Sequence, residues 1–104
     1  MHTLLVLNIS PELEEDLIDC LLEIPEVDGF TTREVYSHGR HEQMSIAEQV
    51  RGRRKRLQVE LIVEAPAVNR VLTLIKEKVG GDGTYWEQPV RNIGRFKEFP
   101  PRQK

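Results

Sequence analysis

The residues of this chain best suited to chemistry fall into three groups. His38 and His41 stand close together with Glu42 and Met44 following. Imidazole with carboxylate or thioether is a donor set for a divalent transition metal such as copper, zinc or cobalt. Two histidines in a connecting segment are also commonly just solvated, and neither a helical spacing nor a cysteine fixes these as ligands. The second group is Arg51, Arg53, Arg54, Lys55 and Arg56. Such a run can grip nucleic-acid phosphates, a nucleotide or an acidic partner, or it can simply be solvated. The third is the stretch GGDGTYWE, Gly80 to Glu87. Its glycines suit a helix-to-strand turn and equally a backbone held open to a phosphate, because glycine tolerates positive φ and close approach. No nucleophile, base and orienting group assemble from the remaining residues, so an enzyme is not expected. Cys20 lies on an apolar helical stripe and reads as a small core residue.

These groups need a scaffold, and the chain is the right size for one domain. It has 104 residues, 38% of them hydrophobic, enough for a modest single core. The expected division is one domain over residues 1–98, with a flexible loop at about 40–56 and a frayed tail at 99–104. One cysteine excludes an internal disulfide. No signal-like start or long apolar run is seen, so a cytoplasmic protein without membrane insertion is expected. The formal net charge is only -2, but residues 37–56 hold six Lys or Arg against two acids. A basic segment thus sits on an otherwise acidic body.

The order of elements follows from pattern. LLVLNI, Leu4 to Ile9, is a short apolar run that reads as a buried strand. Ser10 and Pro11 then open a helix as N-cap and first residue, with Glu12, Glu14, Glu15 and Asp16 at its positive end. Leu13, Leu17, Cys20, Leu21 and Ile24 make its core stripe, ended by Pro25 and Gly29. Phe30 to His38 favours a second strand. In LQVELIVE, Leu57, Val59, Leu61 and Val63 alternate with a mostly polar set, giving a third. Val68, Val71, Leu72, Ile75 and Val79 form a second helical stripe after Pro66, with Gly80 just past its end. The fourth strand runs from Thr84 to about Gln88, and Pro89 restricts it to an edge, a bulge or a break. The result is a βαββαβ, α+β ferredoxin-like sandwich: a four-stranded antiparallel sheet with two helices on one face, and room for an extra C-terminal strand. The third strand carries Gln58, Glu60 and Glu64 on its polar face where RNA-recognition sheets carry stacking aromatics, so nucleic acid is not an expected partner of the sheet.

The segments GFTTREVYSHGR (Gly29 to Arg40), RLQVELIVEA, VGGDGTYW and RNIGRFK resemble, in order and spacing, the landmarks of PII-type signalling proteins. The similarity is greatest to short PII-like proteins with a shortened loop, some of which are associated with heavy-metal efflux. It covers nearly the whole chain, and most of its weight lies in the order of the motifs. The resemblance implies a homotrimer with nucleotide clefts between neighbours and a loop joining the second and third strands that engages a regulated protein, such as a membrane transporter. Carried over, Thr31, Gly39, Arg40, Glu60, Gly81, Asp82, Gly83, Arg95 and Lys97 surround an adenine nucleotide. Arg40 and Arg95 would neutralise phosphate, and Glu60 would meet the adenine side. Thr84 stands where the family has a lysine, Ser37 where it has a glycine, and His41 where it has a glutamine. Arg56 takes the approximate place of a lysine that pairs with an oxoacid. No tyrosine lies between His41 and Arg56, so that segment offers no tyrosine to modify.

Three functions are therefore set against one another. The first is a regulator that senses a small anionic effector, with an adenine nucleotide as the candidate ligand and no required cofactor. The second is a metal-responsive protein using His38, His41 and Glu42. The third is an adaptor for nucleic acid or an acidic partner through the basic run.

Overall fold

The apolar run of the first segment becomes β1 (His2–Ile9), which lies inside the sheet between β3 (Arg53–Glu64) and β4 (Thr84–Val90). The computed structural model describes residues 1–38 and 53–101. Its remaining elements are α1 (Glu14–Leu22), β2 (Phe30–His38) and α2 (Val68–Lys78). The strands form one antiparallel sheet in the order β2-β3-β1-β4. With its two helices this is the expected α+β ferredoxin-like arrangement.

Both helices are entered in the same way, and proline is the reason. Ser10 and Glu64 are extended, with φ and ψ of -64° and 136° and of -63° and 138°. Each leads into a single 3-10 turn containing a proline, Pro11–Leu13 and Ala65–Ala67, before the α-helix begins. Proline supplies a ready φ and lacks the N–H that a first turn would leave unpaired. The Ser10 side chain does not cap the helix; its hydroxyl donates to Glu12 Oε1 at 3.1 Å. α1 thus starts at Glu14, later than the sequence suggests, but its apolar stripe stays in register.

That stripe and the alternation of the strands define the core. Leu5, Leu7 and Ile9 of β1 and Leu57, Val59, Leu61 and Val63 of β3 are buried with Leu17, Cys20 and Leu21 of α1, Ile24 just after it, and Val68 and Val71 of α2. The pairing Leu7↔Val59 and Leu5↔Leu61 keeps these residues on one face. A one-residue slip would expose them all, and each large side chain kept from water is worth about 1.5–3 kcal/mol. The other face carries Leu4, Val6, Asn8, Arg56, Gln58, Glu60, Ile62 and Trp86, in cross-strand register. Its central strands present no aromatic side chain there, and Trp86 belongs to the edge.

Two strands differ from expectation. β4 does occupy an edge, but it runs through Pro89, opposite Thr3, to Val90. An edge strand tolerates proline because only one side of its ladder is used. β3 begins at Arg53 rather than Leu57. The basic residues Arg53 to Arg56 pair with His38 to Val35 of β2, so they belong to the hairpin and not to the connection. Lys55 Nζ lies 2.9 Å from Glu34 Oε1, and that hydrogen bond, then the charge, raises the ammonium's pKa above its usual value. No helix among the described residues is long and apolar enough to cross a membrane.

Candidate functional site

The glycine loop between α2 and β4 is where sequence and structure meet most closely. At the end of α2 the N–H groups of Val79 and Gly80 both donate to Ile75 O, at 2.9 and 3.0 Å. Gly80 and Gly81 then take φ of 69° and 80°, which L side chains rarely adopt. A Cβ on Gly81 would lie 2.6 Å from Leu13 Cδ1, and one on Gly83 would lie 3.1 Å from Ile9 Cγ2 and 3.2 Å from Asn8 O. The loop is therefore pressed against the entrance to α1 and the end of β1. Among the described residues, the N–H groups of Gly81, Asp82 and Gly83 make no backbone hydrogen bond.

Arg56 holds this loop from the other side. Although the sequence groups it with the partner loop, it sits in β3 and is only 5% exposed. Its Nε donates to Asn8 Oδ1 at 2.8 Å, and its Nη2 donates to Asn8 O at 3.3 Å and to Asp82 O at 3.0 Å. One guanidinium thereby ties β3, β1 and the glycine loop together. A buried cation is costly unless hydrogen bonds replace its hydration, and the fork of donors on arginine allows several at once. The basic run is thus divided by burial: Arg56 is inside, whereas Lys55 is exposed in its ion pair with Glu34. Asn8 was not singled out by sequence. It was nonetheless the only polar residue within LLVLNI, and a polar side chain in a buried strand calls for a partner.

The remaining candidates lie elsewhere. Thr31 and Glu60 are directly opposite on β2 and β3. They line an open trough of about 590 Å³ with His2, Leu4, Ile62 and Glu64. Arg33 bridges this surface, donating to Gln58 Oε1 at 3.0 and 2.7 Å and lying 3.6 Å from Glu60 Oε1. Gly81 and Gly83 line a separate groove of about 360 Å³, floored by Leu7, Ile9, Leu72 and Ile75. Arg95 and Lys97 are exposed in the C-terminal segment, around the 3-10 turn Phe96–Glu98. Within one chain the carried-over ligand residues are divided among three surfaces. Gly39, Arg40, His41, Glu42 and Arg51 lie outside the described residues.

Of the proposed metal ligands only His38 is described, at the end of β2 opposite Arg53. Among the described residues, no three His, Cys, Asp or Glu side chains are grouped to hold an ion. Cys20 is 5% exposed in the core, and burial pushes its thiol pKa up, the reverse of what a nucleophile requires.

Comparison with known proteins adds a family to this geometry. No curated protein matches the sequence. Among solved structures, a DUF3240 family protein from Shewanella baltica is similar, with 22% identity, a TM-score of 0.76, and coverage of 91% of this chain and 96% of that one. At that identity the likeness speaks for the fold alone. The family model described as "Protein of unknown function (DUF3240)" matches residues 1–97, nearly the whole chain, and the protein therefore belongs to the DUF3240 family.

Proposed function

We propose that this protein is a PII-like regulatory binding protein, not an enzyme. In this reading it binds a small anionic effector, with an adenine nucleotide as the leading candidate, between subunits of a homotrimer. It signals through the segment between β2 and β3 to a regulated protein, a membrane transporter being the candidate. The observation that carries the reading is the division of the ligand residues. Thr31 with Glu60, the glycine loop, and Arg95 with Lys97 line three separate surfaces of one chain. A second copy would let one ligand reach all three. Further support comes from the amides of Gly81, Asp82 and Gly83, which have no backbone acceptor among the described residues and so remain free for phosphate oxygens. Thr84 supplies no cation there, so phosphate charge would fall to Arg95 and Lys97. An effector that prefers one arrangement of the connecting segment would shift its population and thereby switch the partner.

Calorimetric titration of the purified chain with ATP, ADP, AMP and cyclic AMP tests this proposal. At least one of them is expected to bind, and Arg95→Ala is expected to weaken it tenfold or more, since a charge-assisted hydrogen bond contributes about 1.5–3 kcal/mol. Absence of heat with all four at millimolar concentration would remove the nucleotide from the proposal.

A further inference from the structure

The two helices leave one flank of the sheet open. On the side that they cover, Leu5, Leu7 and Ile9 of β1 are at most 5% exposed. Tyr85 pairs with Leu7 from β4 and so lies on that same side, yet it is 59% exposed. The groove of about 360 Å³ runs between this ring and α2, with Leu7 and Ile9 beneath it and Leu72 and Ile75 beside it. Both α2 side chains pack against the core but are only partly buried, so they present apolar surface to the groove. A concave apolar strip of this size falls within the range of small-ligand sites, about 300–1,000 Å³.

The charge around this groove has one sign. Among the described residues, Lys76 in the last turn of α2 is its only charged lining residue, and no carboxylate is there to repel an anion. Lys55 and Lys78 are paired with Glu34 and Glu23, whereas Lys76 has no carboxylate partner among the described residues. Thr73 Oγ1 donates to Asn69 O at 2.7 Å, so its proton is spent on the helix itself, while Lys76 and the Tyr85 hydroxyl offer donors. The carbonyl end of α2 opposes an anion here, but it carries about half a charge against the full charge of the lysine. Ile75 O, moreover, already accepts from the N–H groups of Val79 and Gly80. Leu72 and Lys76 stand one helical turn apart on the same face, which sets an apolar and a cationic position in line along α2. We propose that the groove binds a linear monocarboxylate of medium chain length, its alkyl chain along Leu72 and Ile75 and its carboxylate at Lys76 and Tyr85. The site uses neither the amides of Gly81 to Gly83 nor a second copy, so it stands apart from the proposed nucleotide site and trimer.

Calorimetric titration of the full chain with octanoate, decanoate and decylammonium tests the site. Decanoate is expected to bind at millimolar concentration or below, roughly tenfold more tightly than octanoate because it buries two further methylenes. It should also bind at least tenfold more tightly than decylammonium, which brings the wrong charge to Lys76. Lys76→Glu, at an exposed position, should weaken decanoate at least tenfold, and Thr73→Trp, also exposed, should fill the groove and abolish binding. Both variants should keep the parental melting curve. No heat with decanoate, equal affinity for octanoate and decanoate, or equal affinity for decylammonium overturns the proposal. So does decanoate binding that survives both substitutions, because the ligand would then sit elsewhere. If the substitutions dissociate an assembly and the parent takes up no decanoate, the groove is an interface between copies and the proposal is likewise overturned. A chain that binds decanoate but no nucleotide supports this site and counts against the proposed function alone.

Discussion

Arg56→Met is expected to destabilise the protein by about 2–4 kcal/mol, because it leaves Asn8 Oδ1, Asn8 O and Asp82 O without the donor they now share. Methionine retains an unbranched apolar stem of similar reach, so the loss reports on the guanidinium head and not on an empty space. One effect opposes it: removing a buried cation also removes its desolvation cost, and a buried ion replaced together with its partners can be neutral. Here the acceptors stay behind, and the cost of leaving them unpaired wins. Arg56→Lys should lose less, since one ammonium keeps the charge but cannot present the same fork to Asn8 and Asp82. Urea unfolding gives the magnitude, and each kcal/mol should lower Tm by about 4–8 °C in a domain of this size. Amide exchange supplies the location, with the start of β4, Thr84 and Tyr85 opposite Asn8 and Leu7, expected to lose protection first. An Arg56→Met midpoint equal to that of the parent would mean that the arginine does not anchor the loop.

Gly81→Ala should cost about 2–4 kcal/mol by a different route. A φ of 80° is strained for alanine by about 1–2 kcal/mol, and the new methyl would meet Leu13 Cδ1 at 2.6 Å, adding an overpacking cost of about 1–3 kcal/mol. Leu13 is only partly buried and can yield a little, so the lower part of that range is the more realistic. Gly80→Ala separates the two causes. It has φ of 69° but only Lys76 O near its Cβ, at 3.9 Å, so it should pay the backbone strain alone. Gly29→Ala has neither and should change stability by less than about 1 kcal/mol, in the stabilising direction if at all. Equal losses at Gly80 and Gly81 in denaturant titrations would show that Leu13 does not press on the loop.

These two sites also show which parts of the structure the chain reveals locally. The strand LLVLNI, the proline-led helices and a last strand opening at Thr84 were legible because each depends on neighbours within a few residues. Periodicity and proline chemistry act at that range. The start of β3 was not legible. Four consecutive cations carry no alternation, and what makes them strand is pairing with Val35 to His38 of β2, the ion pair of Lys55 with Glu34 and, for Arg56, acceptors on Asn8 and Asp82. Gly80 could be recognised as a helix terminator from the stripe before it. That Gly81 must be glycine depends on Leu13, far away in the chain. The candidate ligand residues were named by resemblance in sequence order, and order does not show that Thr31, Gly81 and Arg95 line three different pockets. Only the folded chain places them apart, and that separation is why an assembled site is proposed.

The central claim is that the ligand site is shared between copies, and subunit complementation tests it most directly. Glu60→Ala and Arg95→Ala chains are each expected to bind adenine nucleotide at least tenfold more weakly than the parent by calorimetry. Unfolded together and refolded as mixed oligomers, they should recover about a quarter of the parental sites, those in which one chain supplies an intact Glu60 and its neighbour an intact Arg95. Recovery of that fraction at parental affinity is the predicted result. A mixture that binds no better than the two variants measured separately would contradict the shared site.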